Sequence, residues 1–120
     1  MGYTKVKGAL SDPKRTRALE VEFLVDTGAS YMVIPPSVAR ELKLESFQTI
    51  KATLADKREV EADYSFAYVE IMDREAPVPV LIMDSTLPLL GAFTLQVLGL
   101  AVDPVKEEVI PTRPFALGLL

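Results

Sequence analysis

The chain has 120 residues, 49% of them apolar and 25% charged, with a formal net charge of −4 and neither histidine nor cysteine. That size and apolar content suit one folded domain. The missing residue types exclude Ser-His-Asp and Cys-His catalysis, disulfides and thiolate zinc sites, and the acidic balance argues against nucleic-acid and anionic-membrane partners.

The opening "MGYTKVKGAL" lacks the apolar core of a signal peptide, and no apolar stretch reaches transmembrane length. A cytoplasmic location without a membrane partner is the expectation. Tyr3–Leu10 and Ala18–Val25 read as strands joined by the polar turn Asp12–Arg17. In "ALEVEFLV", Leu19, Val21 and Phe23 alternate with Glu20 and Glu22 before the apolar residues become continuous. Such a strand begins half-solvated and ends in the core. "DTGAS" (Asp26–Ser30) then stops it with an acid, a glycine and small polar groups. A carboxylate there is either a turn residue or a reactive acid on a rigid support. Without histidine or cysteine, carboxylates are the expected proton-transfer groups of a cofactor-free hydrolase. Ser30 is placed to donate a hydrogen bond towards Asp26, and Gly28 to permit a tight turn or close approach by a ligand.

"YMVIPP" reads as a short extended piece, after which Pro35 and Pro36 open a helix ending near Leu44, with Val38, Ala39 and Leu42 facing inwards. Phe47–Ile71 reads as two β-rich arms around Ala55, Asp56 and Lys57, with Phe66, Tyr68, Val69 and Ile71 carrying the second arm into the core. "MDREA" is a turn, and Pro77–Asp84 a strand whose two prolines mark an edge or entry region. "LPLLGAFTL" is very apolar and leads into a short helix or turn around Gly91–Val97. Leu98–Asp103 and Glu108–Ile110 suggest a last hairpin. The pattern predicts a mainly β domain over residues 1–111. An apolar tail follows at 112–120, with Phe115, Leu117, Leu119 and Leu120 packing on the domain or on a partner.

"FLVDTGAS" followed, after a β-rich interval, by "LPLLGAFTL" resembles the retroviral-type (retropepsin-like) aspartic proteases, and more closely their small prokaryotic members. The resemblance covers Val21 to Pro111. It implies an all-β closed barrel with one or two short helices. Asp26 becomes the catalytic aspartate, and Thr27, Gly28, Ala29 and Ser30 its loop. Thr27 would brace the paired loops and Gly28 would admit substrate backbone. Leu89, Leu90 and Gly91 would support the loop from beneath. By position, Ala55, Asp56 and Lys57 match the tip of the family's flap. The family favours small or glycine residues there, yet no glycine lies between Ala29 and Leu90, so a stiffer or more open flap is expected. Val33, Ile34 and Ile82 are candidate walls of the cleft.

The family uses two aspartates that share a proton and a water molecule. This chain has a single Asp-Thr-Gly, and its "MDST" lacks the glycine. The resemblance therefore implies a homodimer in which Asp26 of each copy meets across a twofold axis. Such a pair would cut peptide or protein substrates by activating water, without metal or cofactor. The alternative is a peptide-binding or assembly module of the same fold that does not cleave.

Overall fold

The computed structural model describes residues 4–115. In chain order the elements are β1 (Lys5–Ser11), β2 (Ala18–Val25), β3 (Met32–Ile34), α1 (Pro36–Leu42), β4 (Gln48–Thr53) and β5 (Glu59–Ile71), followed by β6 (Arg74–Ile82), β7 (Leu89–Leu90), α2 (Ala92–Leu98), β8 (Leu100–Asp103) and β9 (Glu108–Pro111).

Strands neighbour one another in the order β1-β2-β7-β3-β6-β5, and a further β5–β1 pairing closes the ring into a six-stranded barrel. The expected all-β closed barrel is what the chain forms, and of the one or two short helices expected it has two. Strand β4 stands outside the ring, paired only with the first half of β5. Closure joins Ala9 to Glu70, Leu10 to Val69 and Ser11 to Tyr68. It depends on Gly8, where a Cβ would run into the Glu70 carbonyl oxygen. No side chain fits such an approach of two backbones.

The β1–β2 turn is organised by Asp12. Its carboxylate accepts the Thr16 hydroxyl at 2.7 Å, the Thr16 N–H at 2.8 Å and the Arg17 N–H at 2.7 Å. The Thr16 hydroxyl contributes most to holding this carboxyl below the ordinary aspartate range. From the same turn, Arg15 pairs with Glu75 at 3.1 Å and lies over the Tyr68 ring at 4.5 Å.

Leu10, Phe23, Met32, Ile34, Leu42, Val69, Ile71, Val78, Val80, Leu90 and Leu98 are fully buried in the main core. The alternation of β5 decides which of its residues join them. Ala67, Val69 and Ile71 point inwards, whereas Phe66 and Tyr68 are only partly buried and occupy the opposite face. The expectation that both aromatics enter the core is corrected by the two-residue period of a strand. The strand expected from Pro77 begins at Arg74, after a turn confined to Met72 and Asp73. Pro77 and Pro79 lie opposite Tyr68 and Phe66, before β3 joins at Val80. Their missing N–H groups thus fall on an edge that is still open.

Helix α1 starts on Pro36, the favoured first position for proline, and stops at Leu42 because Lys43 adopts a left-handed conformation with φ 54°. Two arginines close the C-terminal end of α2. Arg74 donates to the Leu98 and Gly99 carbonyls at 2.9 Å, and Arg113 donates to Gln96 at 3.1 Å and Val97 at 3.0 Å. Both satisfy carbonyls left free at a helix end and complement its dipole. Phe115 packs against the main core. Tyr3 of the first expected strand, and Leu117, Leu119 and Leu120 of the apolar tail, lie outside the described residues.

Candidate active site

Strand β2 leads the chain out of the core and delivers Asp26 at its end. Two residues of β7 lie parallel to it, Leu24 opposite Leu89 and Val25 opposite Leu90. The Leu24 N–H donates to the Pro88 carbonyl at 2.9 Å, and the Asp26 N–H to the Leu90 carbonyl at 3.0 Å. The Val25 N–H donates to the Thr4 carbonyl at 2.9 Å. The backbone that carries the acid is therefore tied on both sides.

Beyond Asp26 the loop curls on two bonds. The Ala29 N–H donates to the Asp26 carbonyl at 3.1 Å, and the Gly28 N–H to Asp26 Oδ1 at 3.0 Å. Among the described residues this is the only hydrogen bond of the Asp26 carboxylate, and the expected bond from Ser30 does not form. Asp26, Thr27, Gly28 and Ser30 are exposed and Ala29 is half-buried. The backbone of Gly28 does not need glycine's left-handed freedom, since Gly99 is the described glycine with positive φ. A Cβ at Gly28 would meet only Asp26 Oδ1, at 3.3 Å. What its small size provides is open space above the carboxylate.

Beneath the loop, Leu90 is fully buried and fixes Asp26 through its carbonyl. Gly91 makes the decisive close approach. A Cβ there would lie 2.6 Å from the Tyr31 carbonyl oxygen, 2.8 Å from that of Ala29 and 2.9 Å from that of Ser30. With no side chain in the way, the Ala92 N–H reaches the Ala29 carbonyl at 2.8 Å and the Phe93 N–H reaches that of Ser30 at 3.0 Å. The structure thus brings Asp26–Ser30 and Leu89–Gly91 into one braced unit.

Leu89 turns away from the main core into a second apolar cluster. Val33, Ala62 and Leu81 are its buried members, with Ile50, Ala52, Tyr64 and Met83 packed around them. Of the residues expected to wall the cleft, Val33 belongs to this cluster, whereas Ile34 and Ile82 face the main core. Val33 pairs with Leu81 and Ile34 with Ile82, so neighbouring positions point to opposite faces. Leu81, Ala62 and Tyr64 stand in the same cluster as Val33, a grouping that sequence reasoning missed. The signal that could have found them is strand parity counted from Val33, but it needs the β3–β6 register.

Ala55, Asp56 and Lys57 form the exposed tip between β4 and β5. The Leu54 N–H donates to the Arg58 carbonyl at 2.8 Å and the Lys57 N–H to the Leu54 carbonyl at 2.9 Å, with Lys57 left-handed at φ 68°. This is a short hairpin loop with lysine where glycine is usual. Asp56 clips it by accepting the Arg58 N–H at 3.1 Å and the Arg58 Nε–H at 2.6 Å. The Arg58 backbone bond, then its side chain, holds this carboxyl below the ordinary range. Among the described residues the tip forms no hydrogen bond with the Asp26 loop. The two are linked through the second cluster, against which Ile50 and Ala52 of β4 and Leu89 all pack. Also among the described residues, no group of three or more acidic side chains is placed to hold a metal ion.

A closed six-stranded barrel with two short helices is the architecture of the retropepsin-like acid-protease fold. A family model described as aspartyl protease matches residues 6–108, and the chain belongs to that family. Among solved structures, the EIAV protease complexed with the inhibitor HBY-793 is similar, with a TM-score of 0.62, at 20% identity over 82% of this chain and 89% of that one. No curated protein matches the chain.

Proposed function

We propose that the protein is an aspartic endopeptidase that assembles its reaction centre from Asp26 of two identical chains. The observation that carries this reading is an exposed carboxylate on a rigid mount. Asp26 is held by the Leu90 carbonyl and by the fold of its own loop, while Gly28 leaves the space above it open. A single carboxylate cannot serve as base and acid at once, and the chain has one Asp-Thr-Gly. A groove of about 720 Å³ lies beside Thr27, lined also by Thr4, Val25, Leu100 and Val102.

In the assembled pair, two carboxylates close together disfavour double ionisation, so one is a base and the other an acid at the same pH. The ionised Asp26 takes a proton from water, and the water oxygen attacks the peptide carbonyl carbon. The protonated Asp26 donates to the developing oxyanion. Proton transfer to the nitrogen then lets the C–N bond break, releasing an acid and an amine. Kinship with the small prokaryotic members, implied by the sequence resemblance, would place the substrates outside any viral polyprotein.

The test is cleavage of a diverse peptide library from acidic to neutral pH by the wild type and by Asp26→Asn, with molecular mass measured in parallel. The expected result is cleavage by the wild-type dimer that the substitution reduces by about 10³-fold or more, as loss of an essential proton-transfer group should. A folded dimer without Asp26-dependent cleavage at any pH would leave the peptide-binding module as the better reading. An active monomer would rule out the shared pair.

A further inference from the structure

On the face of β5 turned away from the main core, a row of aromatic rings starts at the Asp26 loop and runs outwards. Tyr31 meets Tyr64 edge-on, with ring centres 6.1 Å apart and planes at 81°. Tyr64 meets Phe66 at 5.5 Å and 75°, and Phe66 meets Phe47 at 5.4 Å and 52°. These are the tilted and edge-to-face arrangements that aromatic quadrupoles favour, so the row is a defined surface.

The row is not needed to fill the barrel, whose interior is packed from the other face of β5 by Ala67 and Val69. Its two ends remain open, with Tyr31 39% and Phe47 56% exposed. Its neighbours across the sheet are uncharged, Leu81 and Gln48 opposite Tyr64 and Pro79 opposite Phe66. Tyr64 also packs into the apolar cluster that holds Val33 and Leu89, so the row is continuous with the ground beside Asp26.

We propose that Tyr31, Tyr64, Phe66 and Phe47 form an extended substrate-recognition strip for apolar side chains of a peptide beyond those at the scissile bond. The assignment rests on the peptide-binding reading of the Asp26 cleft. Side chains on one face of an extended peptide recur every 6.5 to 7 Å or so, close to the ring spacing of 5.4 to 6.1 Å. Successive same-face side chains can therefore each meet a ring. The neighbours across the sheet offer no charge, and the Arg15 guanidinium over Tyr68 is already paired with Glu75, so acidic or basic residues would lose hydration without gaining a partner. In a twofold dimer the strip occurs twice, so apolar residues would be read at both ends of the substrate.

The experiment uses the full chain carrying Asp26→Asn, which binds without cutting, and two dye-labelled peptides with a common apolar centre. One has leucines at its outer alternate positions and the other has aspartates. Fluorescence anisotropy should show the leucine peptide binding about tenfold tighter, and adding Phe47→Ala should reduce that preference to about twofold. Phe47→Leu should restore most of it, and a peptide lacking the outer residues should bind all these proteins equally. Thermal unfolding verifies that each variant is folded, as the exposure of Phe47 leads us to expect. Equal binding of the two peptides, no binding of either, or a preference unmoved by Phe47→Ala would overturn the proposal. An intact preference in a protein whose wild type never cleaves would support the strip while removing the protease reading.

Discussion

Two glycine-to-alanine substitutions, one within the Asp26 loop and one beneath it, should fail in opposite ways. At Gly91 the new methyl would sit 2.6, 2.8 and 2.9 Å from three carbonyl oxygens, all backbone and none able to rotate aside. Either the Asp26 loop or the start of α2 must retreat. Overpacking of this kind costs about 1–3 kcal/mol. Retreat would also weaken the bonds from Ala92 to Ala29 and from Phe93 to Ser30, each contributing about 1 kcal/mol. Gly91→Ala should therefore cost roughly 3–5 kcal/mol, a large share of the stability of an ordinary domain, and lower Tm by on the order of 10 °C or more. Gly28→Ala meets only Asp26 Oδ1 at 3.3 Å on a backbone without positive φ. It should leave stability within about 1 kcal/mol yet reduce kcat/KM at least about tenfold, because under the proposed mechanism the methyl intrudes where substrate and water are positioned. Urea unfolding at several protein concentrations separates fold stability from dimer dissociation, and peptide hydrolysis gives the activity. Gly91→Ala with wild-type stability and cleavage would refute the support role, as would a Gly28→Ala protein destabilised as strongly as Gly91→Ala.

Thr94 on α2 is fully buried, and its hydroxyl finds no partner among the described residues. Thr94→Val keeps the shape and removes the unpaired group, so it should raise stability by about 1 kcal/mol; a loss of that size in urea unfolding would refute the assignment. Asp56 is predicted to titrate below the ordinary aspartate value of 3.8 because the Arg58 N–H and then its side chain favour the charged form. The sign follows: its clip on the β4–β5 turn is present above the ordinary value and is lost as pH falls through the lower folded value. NMR titration of the Asp56 carboxyl and the Arg58 amide should give a shared midpoint below 3.8, and a midpoint at or above it would show that the clip is not formed.

Much of this protein is legible locally. The alternation in "ALEVEFLV", the prolines at the start of α1 and the hairpin around Ala55–Lys57 each act over a few residues, so propensity and turn chemistry suffice to place them. The acid of the one Asp-Thr-Gly and the glycine after Leu89 and Leu90 were also visible, together with the absence of histidine and cysteine. Directions and meetings were not visible. That Phe66 and Tyr68 face outwards while Ala67 and Val69 fill the barrel depends on the register of β5 against β1 and β6. That Leu81 and not Ile82 stands with Val33 depends on β3 and β6 lying side by side. The contact of Gly91 with three loop carbonyls arises because β7 is inserted between β2 and β3. A strand reverses its exposed face with each residue, so a register set by distant pairing decides what a local pattern leaves open. The sequence by itself determined most of the strands and turns and the one Asp-Thr-Gly; the tertiary structure decided what braces its acid and which side chains stand beside it.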